Sequence, residues 1–452
     1  MTSTLSYYAH PYAQQIALHA LKRINGARLK FILQYKEPPE EIQVGETGSE
    51  KSDSTVVLRV RSPNVWMRIC SCFDLGFAEA YMFQEVDCDD LGRIFDIYIK
   101  NKNRIGSGNP LLQLLPRVAW LLQPTNSIQE ARQNISSHYD TSNELFSAFL
   151  SPDLNYSCAH WSGDPAEPLE SAQDRKVRNL LSKAQLSSSH HVLDIGCGWG
   201  DLSIKAAQIY GCRVTGLTLS ERQKSLAEER IKAAGLQDRV SILLCDYRKA
   251  SAPEQGGFYD RVISVGMFEH VGPEYLDEYF ETISKLLHPT HGVMVIDGIT
   301  MTNKLRETKS KIPTFIGRYV FPGGYLPTIH MLFDALHQGS GGSLEVTSAL
   351  NIGPHYGKTL LAWQDNFLHN WAKIESDYRA ARPGVADAEV EAFRRQWLYY
   401  FRYCDAAFRT RLLGNYVIVA ARTPEQMVEV DAGNTSADAM FEEKVIGDGI
   451  AY

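Results

Sequence analysis

The chain has 452 residues, which at roughly 150 residues per domain predicts two or three domains. Hydrophobic residues make up 44% and charged residues 22%, a globular composition that excludes a disordered or fibrous chain. With 46 Lys and Arg against 53 Asp and Glu the net charge is −7, which argues against a dedicated nucleic-acid binder.

The start, MTSTLSYYAHPYAQQ, lacks the basic n-region and apolar core of a secretion signal. Residues 12–34 open with helical apolar spacing and continue through Lys22, Arg23, Arg28 and Lys30, with Gly26 weakening a single continuous helix. Residues 35–53 are an acidic loop with six acids and two bases. STVVLRVRS alternates apolar and polar residues and predicts a strand, and residues 74–99 predict mainly helix with aromatics on one side. In PLLQLLPRVAWLLQP the Leu and Trp positions, broken by Pro116 and Arg117, fit either a membrane interface or a domain seam, and composition favours the seam. No apolar run reaches the roughly 18 residues of a spanning helix.

From about Ser127 strands and helices alternate. HHVLDIGCGWG is an apolar strand running into a glycine-rich turn, with the helix DLSIKAAQIYG behind it. CRVTGLTLS, VSILLCDY, YDRVISVGMFEHVG and GVMVIDGIT predict further strands, with ERQKSLAEERIKAAGL and LDEYFETISKLLHP as helices between them. This alternation predicts an α/β fold with a doubly wound, mostly parallel sheet. Residues 303–345, irregular and rich in Gly, Pro and Lys, read as an inserted lid or substrate segment. A helical stretch (361–411) and the strand NYVIVAAR follow. Residues 423–452 are an acidic tail with seven acids and one base. Setting both acidic segments aside leaves a body basic by three charges. The expected domains are 1–125, 126–422 and a flexible tail, 423–452. The eight cysteines are scattered without paired metal-ligand spacing, so no metal is expected, and reduced thiols in a cytoplasmic protein are.

Asp194-Ile-Gly196-Cys-Gly198-Trp-Gly200 follows a strand and opens a helix, where glycines let the backbone turn tightly against a ligand. Its spacing departs from the dinucleotide fingerprint, whose third glycine would fall at Asp201, and matches instead the first motif of S-adenosylmethionine (SAM) methyltransferases. The second strand ends in LTLS rather than in an acidic residue, so Thr218, Leu219 and Gln223 are expected along the ribose side. Asp246-Tyr247-Arg248 is placed for the adenine, with Tyr247 stacking.

QNISSHYDTSNELFSAFLSPDLNYSCAHW, DIGCGWGDLSIKAA, GLTLSERQ, GMFEHVG, RYVFPGGYLPT and YYFRYCDAAFR occur in this order. On these motifs the chain resembles the cyclopropane-fatty-acyl-phospholipid synthase family, including the mycolic acid cyclopropane synthases, over residues 55 to 422. DLGFAEAYM…DDLGRIF resembles the N-terminal lipid-binding domain of the long bacterial members. The resemblance implies a seven-stranded Rossmann-like methyltransferase sheet, SAM as cofactor, and an unsaturated phospholipid met transiently at a membrane surface. It implies methyl transfer to a cis double bond, then removal of a proton so that a cyclopropane closes, with bicarbonate as the base. Tyr156 and Ser157 would touch the cofactor; Cys158, Glu269 and Tyr319 match bicarbonate-site residues, and His270 matches the family's MFEHVG-type motif. Cys404 matches a cysteine long assigned to the active site, but a thiol cannot usefully attack a methyl already held by SAM, so placement near the site is expected rather than nucleophilic catalysis.

One position departs from the pattern. Asp297, in VIDGI, stands where the family has its bicarbonate-binding histidine. Beside Glu269 it would repel bicarbonate unless one carboxyl is protonated. Three outcomes stay open: a protonated Asp297 donates to bicarbonate, Asp297 is itself the base, or ring closure is lost. The HYD…YSC…MFEH pattern is also shared by plant alkaloid N-methyltransferases, so a small-molecule amine methyltransferase is the alternative. Lys304, Arg306, Lys309, Lys311 and Arg318 would face anionic headgroups from the lid. A homodimer is compatible with the sequence.

Overall fold

The computed structural model describes residues 2–46, 55–71, 73–106, 143–253, 257–308 and 314–423. The stretch 110–124, the QNISSHYD motif, Lys309, Lys311, the acidic tail beyond Thr423 and the expected boundary near 125 lie outside the described residues.

The N-terminal helix α1 (Thr2–Leu21) ends well before the helical reading would carry it. Gly26, at φ +76°, turns the chain into β1 (Arg28–Leu33), where Leu29, Phe31 and Leu33 are buried in alternation. A period of two thus overrides the helical start. With β2 (Glu40–Val44), β3 (Thr55–Val60) and β4 (Val86–Cys88) it forms a sheet of order β2-β1-β3-β4, in which β1 and β3 run parallel. Helices α2 (Asn64–Ser71), α3 (Phe73–Met82) and α4 (Leu91–Gly106) complete this unit. The predicted helix over 74–99 is therefore divided: Gln84 adopts φ +59° and the chain spends Val86–Cys88 pairing with β3.

After α5 (Asn143–Phe149) and α6 (Leu169–Lys183) comes a second sheet of seven strands. They are β5 (His191–Ile195), β6 (Arg213–Thr218), β7 (Val240–Leu244), β8 (Arg261–Val265), β9 (Val293–Met301), β10 (Leu344–Asn351) and β11 (Leu413–Arg422). Their order is β10-β11-β9-β8-β5-β6-β7, parallel from β9 to β7, with β11 antiparallel to both its neighbours. The strand order reverses between β5 and β8, which is where open α/β sheets bind ligands. β10 was not evident from the sequence: LEVTSALN lies at the sheet edge, and after its buried first residue exposed and half-buried positions alternate. Helices α7 (Asp201–Tyr210), α8 (Glu221–Ala233) and α9 (Leu276–Leu286) follow β5, β6 and β8.

The segment 303–345 is more regular than its composition suggests. It holds α10 (Asn303–Thr308), a π-turn at Ile316–Val320 and α11 (Ile329–Ser340). The Thr328 hydroxyl accepts the Met331 N–H as an N-cap, and Leu332, Ala335 and Leu336 of α11 are buried in one cluster with α9. Gly339 permits that packing, since a Cβ there would stand 2.3 Å from the Asp277 carbonyl oxygen. Helices α12 (Pro354–His369), α13 (Trp371–Ala381) and α14 (Asp387–Arg409) complete the fold.

Helix α14 ties the two units together. Tyr399 meets Phe95 edge-on at 5.0 Å and Phe315 at 4.7 Å, and Arg409 pairs with Asp96 at 2.7 Å. Arg395, largely buried, binds Asp87 and donates to the carbonyls of Tyr81 (2.9 Å) and Val86 (3.3 Å). Arg395→Ala leaves Asp87 with Arg61 as its remaining cation and takes one donor from each carbonyl, and should lower stability by about 1–2 kcal/mol. A clear drop in the urea midpoint is the expected reading; an unchanged midpoint would show that the seam holds without it.

Candidate active site

The turn after β5 is shaped by glycines in the left-handed region, Gly196 at φ +81° and Gly198 at φ +54°. The amides of Gly196 and Cys197 donate to the Leu217 carbonyl of β6, at 3.0 and 2.9 Å, which pins the turn to the sheet. Asp194, last but one in β5, is buried and accepts the Ser203 hydroxyl at 2.6 Å; burial pushes its carboxyl up to about 6.

A cleft of about 1010 Å³ opens over this turn. Tyr156, Ser157, Asp194, Gly196 and Gly198 line one part, and Thr218, Leu219, Gln223 and Tyr247 another. Thr218 donates to Gln223 Oε1 at 2.8 Å, leaving the Gln223 NH₂ available. Tyr247 is buried against Tyr279, ring centroids 5.2 Å apart, and its hydroxyl has no hydrogen-bond partner among the described residues. Two predicted residues stand back from the cleft wall. Gly200 caps α7, where a Cβ would lie 3.1 Å from that of Ala227, and Arg248 is committed to Asp246 through bonds of 2.9 and 2.7 Å.

Behind the cleft two carboxyls are held out of water. Glu269 sits in a short 3₁₀ turn after β8, with Oε1 accepting the Ile299 N–H at 2.6 Å. Asp297 of β9 is 1% exposed, and its Oδ1 accepts the Asn415 amide. The second oxygen of each, Glu269 Oε2 and Asp297 Oδ2, is buried without a partner among the described residues. Desolvation raises Glu269 to about 8, with Asp297 adding to it, and raises Asp297 to about 6. Gly298 makes room for this pair: a Cβ would lie 2.6 Å from the Phe268 ring and 2.9 Å from Glu269 Oε1.

His270 borders the cleft, meets Phe321 edge-on at 5.7 Å, and is pulled down to about 4 by burial. Cys158 is fully buried, its thiol directed at the carbonyls of Ala159 and Ile352 and driven up by desolvation. Tyr319 turns away: its hydroxyl donates to Glu79 of α3 at 2.9 Å. Cys404 lies on α14 outside the cleft wall, its thiol also pushed up by burial, so the thiolate a nucleophile needs is disfavoured. The seven described cysteines are free thiols.

Tyr156 is the corner of an aromatic wall. Its ring lies 5.2 Å from both Phe146 and Trp363 and 6.3 Å from Phe321, and its hydroxyl donates to that of Tyr400 at 3.0 Å. Cleft residues that sequence reasoning missed include Asn155, Trp199, Asp201, Met267 and Lys176. Lys176 did leave a trace: with Gln173 it occupies the face of α6 otherwise filled by Leu169, Val177 and Leu180, and polar residues on an apolar stripe mark a site.

A single reversed strand, β11, in an otherwise parallel sheet, with a glycine turn and cleft at the switch point, defines a Rossmann-like methyltransferase domain. Residues 126–417 match the mycolic acid cyclopropane synthetase family model, and the chain belongs to this family. It is 36% identical to the tuberculostearic acid methyltransferase UfaA1 of Mycobacterium tuberculosis, over 76% of this chain and 77% of that one. It is 34% identical to the cyclopropane-fatty-acyl-phospholipid synthase of Escherichia coli K12, over 82% and 90%. Among solved structures, mycolic acid cyclopropane synthase CmaA1 complexed with SAH and CTAB superposes with a TM-score of 0.56. That pair is 28% identical and covers 64% of this chain and 98% of the other. The chain is thus an enzyme of the cyclopropane synthase and methyltransferase class.

The raised carboxyl of Glu269 has a stability consequence. A folded value near 8 against an ordinary 4.5 means that folding favours the protonated form. Its contribution is complete below about 4.5 and is lost as pH rises through about 8. Glu269→Gln removes the titration, so the wild type should lose stability relative to this variant between pH 5 and pH 8. Parallel denaturation midpoints across that range would contradict the buried, uncharged carboxyl.

Proposed function

We propose that this enzyme transfers the methyl group of SAM to the cis double bond of an unsaturated acyl chain carried by a phospholipid, and that Asp297 accepts the proton whose loss closes a cyclopropane ring. The observation that carries the reading is the pair of buried, half-partnered carboxyls beside an aromatic wall, next to the cofactor cleft.

The cleft suits SAM. The space beside Gly198, where a Cβ would meet nothing within 4 Å, admits a close-lying ligand, and the unpartnered Tyr247 hydroxyl and Gln223 amide are free to bond one. When bound, SAM supplies an electrophilic methyl. An alkene is a weak nucleophile, and taking up that methyl leaves positive charge on the neighbouring chain carbon. The ring of Tyr156, on the cleft wall and backed by Phe146 and Trp363, tolerates such a charge where water would quench it. One C–H bond of the new methyl then breaks, its electron pair closes the ring, and the proton goes to Asp297 Oδ2. With values near 6 and 8, Asp297 is the anion and Glu269 the neutral acid at neutral pH.

Bicarbonate fits this set poorly. Asp297 brings a carboxylate where an anion needs a donor, His270 is neutral, and the Tyr319 hydroxyl is engaged by Glu79. A protein carboxylate in place of the ion is the simpler arrangement. Access to lipid is supported by exposed bases beside the π-turn: Arg318 has a side chain 60% exposed, and Lys304 is exposed on α10. No described helix is long and apolar enough to cross a membrane, so the substrate would be met at the bilayer surface.

Label from methyl-labelled SAM should enter the acyl chains of unsaturated liposomes, and mass spectrometry should show a ring. A protein that binds SAM and labels no lipid would sink the reading. Asp297→Asn should bind SAM normally yet lose about 10²–10⁴-fold in ring formation, and wild-type turnover should survive removal of carbonate from the buffer. Reversing the charges of Lys304, Arg306 and Arg318 should reduce sedimentation with anionic liposomes; equal sedimentation would remove the bases from lipid recognition.

A further inference from the structure

Lys176 is a buried cation to which the chemistry above gives no task. It lies on α6, 2% exposed, at the floor of the cofactor cleft. Its Nζ donates to Asn155 Oδ1 at 3.0 Å and to Ser157 Oγ at 2.9 Å. One turn earlier Gln173 donates to the carbonyls of Ser157 at 2.9 Å and Asn155 at 3.3 Å. Two side chains of one helix face thus clamp the loop that borders the cleft. Because the ammonium donates to Ser157 Oγ, the serine's own O–H is left to donate elsewhere, and an amino-acid carboxylate on the cofactor is the acceptor it suits.

Burial of an ammonium disfavours its charge unless carboxylates compensate. Those facing Lys176 are Asp297 of β9, Asp153 of the preceding loop and Asp201 of α7, with the Cys158 thiol beside them. Asp201 is already shared with Lys205 at 3.0 Å and Arg230 at 3.6 Å, and Asp153 accepts the Ser151 hydroxyl and the Asn155 N–H. Asp297 has only the Asn415 amide as a hydrogen-bond partner among the described residues, and Lys176 is the cation that favours its ionised form. The other titratable neighbours of Asp297 are Glu269, Cys158 and Tyr356, none of them positive.

We propose that Lys176 is a positioning residue for the cofactor: with Gln173 it holds the Asn155–Ser157 loop in the geometry that turns the Ser157 hydroxyl toward the cleft. The proposal rests on the cofactor reading of the cleft and not on the lipid chemistry.

The test uses the full chain with Lys176→Met and Lys176→Gln. Calorimetry with SAM, in the absence of lipid, should show binding weakened about tenfold or more in K176M. In K176Q, whose amide still reaches toward Ser157, the loss should be smaller. Wild-type SAM affinity in K176M overturns the proposal, and so does a loss in K176Q as large as that in K176M. Should K176M fail to fold, K176Q alone still decides, since unchanged SAM affinity there is equally fatal. Calorimetry without lipid keeps the proposal testable even where lipid methylation itself fails.

Discussion

Glu269, in the turn after β8, and Asp297, midway along β9, are held out of water, each with one oxygen bonded and the other without a partner among the described residues. Two desolvated carboxyls so placed cannot both carry charge at modest cost, and much of the surrounding structure answers that constraint. Gly298 removes the side chain that would collide with Phe268 and Glu269, and Asn415 of β11 steadies Asp297 from the antiparallel edge pair. The charge settles on one carboxyl, while the other keeps its proton and is available as a donor.

The same economy of water explains the aromatic density around the cleft. Phe146, Phe149, Tyr156, Trp363, Trp397 and Phe401 pack ring against ring, and several belong to α12 and α14, far from the cofactor turn in sequence. A cation formed on a hydrocarbon chain needs a polarisable wall and few waters, and rings supply both. Helix α14 extends the packing into the N-terminal unit through Tyr399 and Tyr403. The unit also reaches the segment between β9 and β10 directly, since Asp74 accepts the Phe315 N–H at 3.3 Å and Glu79 accepts the Tyr319 hydroxyl. The π-turn of that segment is thus supported by carboxylates outside the seven-stranded sheet.

How much was legible beforehand differs by element. The glycine turn, the five parallel strands and their helices could be read locally, because burial on both faces produces unbroken apolar runs and tight turns demand glycine. The edge strand β10 escaped, since a half-exposed LEVTSALN has too little apolar contrast to stand out. The helical opening of 12–34 and the mainly helical character of 74–99 held, but the strands β1 and β4, which tertiary pairing recruits after Gly26 and Gln84 turn the chain, were not legible. Residue types at the site were legible from ordered motifs, but Lys176 was hidden among the charges of an ordinary-looking helix.

By itself, then, the sequence determined the class of fold, the glycine turn and the presence of an aspartate, Asp297, inside an apolar strand, because each is a local property of a few adjacent residues. It also determined a body of opposite sign to its overall charge, which leaves an encounter with a bilayer open. Only the tertiary structure decided what that aspartate faces. Residues 155–157, 176, 269, 297 and 415 are spread across most of the catalytic domain. Their protonation depends on distance and on exclusion from water, and neither exists until the strands and helices have packed.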